Sequence, residues 1–147
     1  RDQNVLYGLD TPEQNLPRTG TGTYNAVIYG SAVGNDFSGQ DRFTLGGTAR
    51  VDVDWASASF GGTMNITASN TRTNSSQALL PIGLVNGRLF QNTLNAGLSN
   101  VLNGSFSGRF YGPTGRELGA TFNFETFRTD QAPINMLGQG VLVGTRQ

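Results

Sequence analysis

Three acidic residues in this sequence are of types that can bind a metal ion or take part in catalysis. Asp52 and Asp54 lie two residues apart, so on a β-strand both carboxylates would share one face, where they could hold a hard cation such as Ca²⁺. Glu117 could act as a catalytic carboxylate. However, the aspartates lack the spacing of an EF-hand, and Glu117 has no second acid at a definable spacing. We therefore predict no metal and no catalytic residue, and expect Glu117 to form a rim contact with Arg109 or Arg116.

Haem binding would need tyrosine or methionine as the axial ligand, because the chain has no histidine. The residues of these two types are Tyr7, Tyr24, Tyr29, Tyr111, Met64 and Met136. Two of them, Tyr24 and Met64, fall at positions that we expect to be core. The sequence therefore predicts no cofactor.

The residue types that are missing exclude most enzyme classes. The 147 residues include no cysteine, no histidine and no lysine. This removes thiolate nucleophiles, Ser-His-Asp triads, the usual zinc ligands, Schiff bases and a P-loop lysine. We expect a protein that is not an enzyme.

The charge pattern argues against nucleic acid and against a helical membrane span. Ten basic and ten acidic residues balance to a net charge of zero, and the arginines are scattered singly. A nucleic-acid surface needs clustered positive charge. No apolar run approaches the roughly 20 residues that a transmembrane helix requires. The length fits one domain.

Period-two alternation of apolar and polar residues dominates the chain and predicts β-strands. The clearest segments are 47–55, 58–68, 104–112 and 117–126, of which the last two flank a tight turn at Pro113. Further strand candidates are 21–29, 42–46, 85–94 and 138–145. Apolar residues with helical spacing in 94–103 predict a short helical turn there.

About eight short strands in succession predict an all-β fold in which the sheet closes on itself. Glycine and alanine next to phenylalanine on the inner face favour a closed barrel, with a sandwich as the alternative. The apolar face points inward, the reverse of a porin. We predict a single antiparallel eight-stranded soluble β-barrel at 19–147, preceded by an N-terminal extended segment at 1–18.

The segment 104–122 resembles the most recognisable motif of transferrin-binding protein B-like barrel domains. The residues that carry this resemblance are Gly108, Phe110, Tyr111, Gly112, Pro113, Glu117 and Gly119. Ala120 departs from the pattern, since the family usually has a second glycine there. The segments 6–12 and 16–24 are similar to the entry of these barrels. The motif residues alternate along two predicted strands or occupy the turn between them, so we expect the motif to have a structural role.

The resemblance implies a barrel at the outer-membrane surface of a Gram-negative bacterium or in the extracellular space, often as a lipoprotein. It also implies a binding function, which in several members concerns host iron proteins, haem carriers or complement regulators. Transferrin binding itself is not expected to transfer, because two-lobed members bind largely through a handle domain and loops that this chain lacks or shortens.

Loops are the remaining candidates for function, because a rigid barrel presents them as a binding rim. The longest segments without strand character, 69–84 and 130–137, contain apolar residues, as does the N-terminal segment. The residues we expect to contact a partner are Val5, Leu6, Tyr7, Leu79, Leu80, Ile82, Ile134 and Met136. The alternative is that these apolar loop residues plug the barrel ends and contact no partner.

The sequence thus predicts a barrel that binds a protein or solute through its loops. The alternative is a structural subunit of a self-assembling surface fibre or array, a homo-oligomer in which residues 1–18 make the inter-subunit contacts. A net charge of zero promotes such association.

Overall fold

A computed structural model of the chain describes residues 11–36, 39–126 and 135–147. A single turn of 3-10 helix, Glu13–Asn15, comes first, and nine strands follow. The strands are β1 (Thr21–Asp36), β2 (Gly39–Asp54), β3 (Ser59–Asn70), β4 (Ser76–Ala78), β5 (Ile82–Phe90), β6 (Thr93–Leu98), β7 (Asn103–Tyr111), β8 (Glu117–Glu125) and β9 (Asn135–Arg146).

Eight of these strands form a closed ring. Their order is β2-β1-β9-β8-β7-β6-β5-β3, and β3 pairs back onto β2 to complete the barrel. All of these pairings are antiparallel, and β1 joins β9, so the first and last strands are neighbours. The short strand β4 lies outside the ring and pairs with β3. The prediction of a closed eight-stranded antiparallel barrel is confirmed, and the sandwich alternative is wrong.

The alternation that predicted the strands also separates the core from the outer wall. In β3, Met64 and Ile66 are buried while Asn65 and Thr67 are exposed. Burying an aliphatic side chain of this size contributes roughly 1.5–3 kcal/mol relative to leaving it in water. Repeated around the ring, this burial makes the apolar inner face the main source of stability.

Large and small residues alternate inside the barrel because its interior is narrow. Phe106 faces Phe122 across β7 and β8, and in the next inward layer Gly108 faces Ala120. A Cβ atom on Gly108 would lie only 2.8 Å from the Cβ of Ala120. Ala120, which stands where the resembled motif has glycine, therefore fits because its partner across the ladder has no side chain.

Three predictions about elements are wrong. The segments 42–46 and 47–55 belong to one strand, β2, which pairs with β1 without interruption from Asp54 to Gly39. The predicted strand 85–94 is divided into β5 and β6 by a two-residue turn at Gln91 and Asn92. The predicted helical turn in 94–103 is instead β6 and a bend, since residues four apart share a face on a strand as well as on a helix.

One end of the barrel, which we call the plugged end, is closed by the segment that precedes β1. This is the end at which β2, β5, β7 and β9 finish. The backbone N–H of Thr11 donates to the carbonyl of Phe110 at 3.0 Å, and its hydroxyl donates to the carbonyl of Gly112 at 2.7 Å. Leu16 is buried in the core cluster. The division predicted at residue 18 stays a prediction.

The buried side chain of Asn92 joins this plug to the barrel wall. Its Nδ2 donates to the carbonyls of Thr11 (2.9 Å) and Phe110 (3.0 Å), and its Oδ1 accepts from the N–H of Phe110 at 2.9 Å. One side chain thus satisfies three buried backbone groups from two segments far apart in sequence. Asn92 holds the plugged end together.

An aromatic group fills the space beneath the plug. The ring of Phe110 lies 4.9 Å from that of Trp55 and 5.5 Å from that of Tyr24, centroid to centroid. The hydroxyl of Tyr24 donates to the carbonyl of Gly115. Burial raises the pKa of Tyr24 to about 12, even though Arg146 acts in the opposite direction. Tyr24 is therefore a protonated donor at any physiological pH.

We predict that Asn92→Ala lowers the free energy of unfolding by about 1–3 kcal/mol, because it leaves buried backbone groups without partners. Asn95→Ala on the neighbouring strand β6 is the matched control, since Asn95 is exposed. That change should stay within about 0.5 kcal/mol. Equilibrium urea unfolding measures both, and equal losses in the two variants would contradict the role given to Asn92.

Candidate binding surface at the loop end

The opposite end of the barrel, which we call the loop end, carries exposed leucines. This is the end at which β1, β3, β6 and β8 finish, and its described connections are 71–81 and 99–102. Leu80 is 62 % exposed and Leu102 is 49 % exposed, while Leu137, close to the start of β9, is 60 % exposed. Val33 pairs with Leu137 and is also exposed. These exposed leucines make the loop end the candidate contact surface among the described residues.

The predicted contact residues are distributed on both sides of the barrel wall. Leu80 is exposed, and Leu79 is half-buried and packs against the core. Ile82 and Met136 are each only 1 % exposed and lie inside the barrel. Val5, Leu6, Tyr7 and Ile134 lie outside the described residues.

Leu102 and Leu137 complete the exposed set, and neither is among the predicted contact residues, although Leu137 ends the apolar segment 130–137. Leu102 belongs to the helical spacing that predicts a turn in 94–103, where the structure has a bend instead. Leu137 precedes the predicted strand 138–145, although extending the alternation by one residue places it on the outer face. The period-two signal could therefore have found Leu137.

An ion pair and a buried asparagine hold the start of the 71–81 connection. Arg72 binds both carboxylate oxygens of Asp41, at 2.9 and 2.8 Å. Asn70 is buried; its Nδ2 donates to Asp41 at 3.0 Å and its Oδ1 accepts from the N–H of Arg72 at 2.8 Å. These hydrogen bonds, first from Arg72 and then from Asn70, lower the pKa of Asp41 to about 2. The carboxylate is thus charged at neutral pH.

The turn fixed by this cluster leads directly into β4. The N–H of Asn70 donates to the carbonyl of Ser75 at 2.7 Å, and the N–H of Leu79 donates to the carbonyl of Ile66 at 2.9 Å. The ladder between β3 and the chain around β4 therefore runs from Ser75 to Leu79. The segment is extended along its whole length.

The connection between β6 and β7 is hydrogen-bonded to the 71–81 connection at Pro81, the last residue before β5. Asn100 Nδ2 donates to the carbonyl of Pro81 at 2.7 Å. Ser99 and Gly83 exchange two further hydrogen bonds, each 2.9 Å long. The chain from Ser99 onward thus covers the edge from Pro81 toward β5.

A shallow concave surface also lies on the outer wall of the barrel. It encloses about 950 Å³ over β1, β2, β8 and β9. The exposed pair Val27 and Val143 forms part of its floor, and Arg50, Tyr111 and Glu117 are among the residues at its margins. It is a shallow groove outside the wall, whereas side chains of the core occupy the inside of the barrel.

The motif behind the family resemblance lies at the plugged end. Gly108 and Phe110 point inward on β7, and Gly119 is buried on β8. The turn between these strands contains Gly112, with a φ of 87°, and the exposed Pro113. The two remaining motif residues, Tyr111 and Glu117, face each other across the β7–β8 ladder where that turn begins and ends.

The described part of the chain contains no group of three or more histidine, cysteine, aspartate or glutamate residues placed to hold a metal ion. Within the same residues, no helix is both long enough and apolar enough to cross a membrane.

The closed antiparallel ring, its plugged end and the β7–β8 motif define a class of eight-stranded β-barrel domain. A family model described as the C-lobe and N-lobe beta barrels of Tf-binding protein B matches residues 16–139. The chain belongs to this family.

Solved structures of the same family share the fold. The chain resembles isotype 1 transferrin-binding protein B from serogroup B Neisseria meningitidis, with a TM-score of 0.63 and 19 % identity over 94 % of the chain. It also resembles a single-site mutant of transferrin-binding protein B from Haemophilus parasuis Hp5, with a TM-score of 0.54 and 17 % identity over 94 %. The chain spans only 27 % and 29 % of those two chains. No curated protein sequence matches it.

We predict that Asp41→Asn removes a pH-dependent part of the stability. A carboxyl group whose pKa is lower in the folded state than its ordinary value of 3.8 stabilises the fold above that value, and this stabilisation is lost as the pH falls toward 2. Urea midpoints measured from pH 6 to pH 2 should therefore differ between wild type and Asp41→Asn above pH 4 and converge toward pH 2.

Asp52→Asn is the control, because Asp52 pairs with Arg50 on the exposed surface, where an ion pair contributes little. A difference between wild type and Asp41→Asn that stays constant from pH 6 to pH 2 would contradict the assignment.

Proposed function

We propose that this barrel is a non-enzymatic binding domain at the surface of a Gram-negative bacterium, and that it captures a protein partner through the loop end. The observation that carries the proposal is the group of exposed leucines there, at Leu80, Leu102 and Leu137. At the plugged end, the segment before β1 covers the opening of the barrel.

A protein fits this surface better than a small solute does. Among the described residues, core side chains fill the barrel interior and leave no lined cavity there of the kind that buries most of a small ligand. Leucines spread around a rim match a broad protein surface instead, where a few apolar anchors supply most of the binding energy.

Family membership supports the class of partner. The structural relatives are transferrin-binding proteins by name, and the family model describes the barrels of their two lobes. We infer that the partner is a host protein that carries iron or haem. Membership in this family also supports a surface location.

The test uses a panel of host iron and haem carriers, including transferrin, immobilised for surface plasmon resonance. We expect at least one carrier to bind the wild-type chain, and Leu80→Glu combined with Leu102→Glu to weaken that binding at least tenfold. A charge at a buried contact must be desolvated without a partner.

Phe90→Glu is the matched control, since Phe90 is 73 % exposed at the plugged end. It should bind as the wild type does. Equal losses in the control and the double variant, or no binding by any carrier, would overturn the proposal.

A binding domain of this kind should be a monomer in solution. We predict a particle mass near 15.6 kDa by light scattering at neutral pH. Long assemblies seen in the same sample by electron microscopy would contradict this and favour the fibre subunit.

A further inference from the structure

The outer edge of β4 presents backbone groups that no described strand pairs with. Ser75 and Leu79 bond to β3, and in an antiparallel ladder the bonded residues alternate along the strand. Ser76 and Ala78 are the intervening positions, so their N–H and C=O groups point away from β3. Among the described strands, β4 pairs with β3 alone.

The edge at Ser76 and Ala78 carries no charged side chain, although β4 is only three residues long and Pro81 follows it, two features that limit the length of any strand pairing. Natural edge strands are protected by charged side chains, by bulges or by a covering loop. Residues 75–80 include no charged side chain, and the β6–β7 connection begins to cover the edge only at Pro81. The edge is also held rigid, since the Asp41–Arg72 pair and Asn70 fix the turn before it.

We propose that β4 is a strand-addition site, at which an extended segment of a protein partner pairs with Ser76 and Ala78. The site offers two N–H donors and two C=O acceptors, the pattern that an added β-strand satisfies. This inference rests on the proposed function, because it assigns a contact within the same loop end.

The surroundings define the chemistry of the added segment. Ser76 and Ala78 point outward, as does the exposed Leu80 next to them, while Gln77 and Leu79 point inward. The segment should therefore be uncharged and extended, with an apolar residue placed against Leu80. Backbone hydrogen bonds would supply general affinity, and the leucine contact would supply selectivity.

A partner protein fits this edge better than a second copy of the chain. Pairing between two copies of β4 is limited to three residues on each side, whereas an extended segment of a partner can continue past β4 and cover the exposed Leu80. A partner that also covers Leu80 and Leu102 gains apolar burial in addition.

The experiment uses the full chain and a displayed library of random heptapeptides. Peptides selected on the wild type are then measured against Ala78→Pro, which removes one outward N–H without removing a bond to β3. Ala78→Val keeps that N–H and is the conservative comparator. Thr114→Pro introduces proline at an exposed position of the plugged end and controls for proline itself.

We expect the selected peptides to bind Ala78→Pro at least tenfold more weakly than Ala78→Val, and to bind Thr114→Pro as they bind the wild type. Equal binding to Ala78→Pro and Ala78→Val would overturn the proposal, as would the absence of enriched peptides. If the wild-type chain forms a dimer in solution and Ala78→Pro is a monomer, the edge pairs two copies of the chain. That result would overturn the proposal that a partner protein occupies it.

Hydrogen exchange on the wild type provides a test that does not depend on how the variants fold. The amides of Ser76 and Ala78 should exchange freely in the isolated chain and slow at least tenfold when a selected peptide saturates it. The amides of Gln77 and Leu79 should be protected in both states. Protection of Ser76 and Ala78 in the isolated chain would overturn the proposal, because the edge would already be occupied.

Failure of this inference can be separated from failure of the proposed function. If a host carrier binds and the leucine variant weakens it while Ala78→Pro does not, strand addition is wrong and the binding surface remains. If peptides bind as expected and no carrier does, the proposed partner class is wrong and the strand-addition site remains.

Discussion

The narrow interior of an eight-stranded barrel is the constraint on which the rest of this structure depends. In this ring the interior is occupied by the barrel's own core side chains, so a large residue in one layer requires a small one close by. Phe106 and Phe122 can face each other because Gly108 and Ala120 occupy the next layer. The same packing excludes a ligand from the centre, which leaves the two ends and the outer wall for recognition.

The two ends satisfy their backbone groups in different ways, and this difference assigns their roles. At the plugged end, Asn92 and Thr11 supply hydrogen bonds to the β7–β8 hairpin, and Phe110 fills the space beneath them. At the loop end, polar contacts of Asp41 and Asn70 shape a turn but leave a strand edge uncovered. One end is therefore built for stability, and the other offers groups that a second molecule can satisfy.

The barrel could be predicted from the sequence because alternation is a local signal, whereas the turns depended on distant residues. The turn at Gln91 and Asn92 lacks the glycine that usually marks such a hairpin, and Gln91 adopts a φ of 55° there. What stabilises this turn is Asn92, whose partners Thr11 and Phe110 lie 81 and 18 residues away. No local pattern shows such contacts.

The candidate site was harder to predict because one extra residue between β4 and β5 reverses which side chains face the core. Ala78 pairs with Thr67 while Ile82 pairs with Met64, so the chain on the β4 and β5 side contains one residue more than β3 opposite. This irregularity turns Ile82 into the core and leaves Leu80 outside. Composition identified the apolar segment, but only the register distinguishes its exposed residues from its buried ones.

The pairing of the first strand with the last has a consequence for how the chain folds. β1 cannot join β9 until the C-terminal strand exists, and Thr11 cannot bond to Phe110 and Gly112 until about three quarters of the chain is available. Contacts so distant in sequence slow folding, because a long loop must be closed before they form. During synthesis the ring therefore cannot close before β9 has been made.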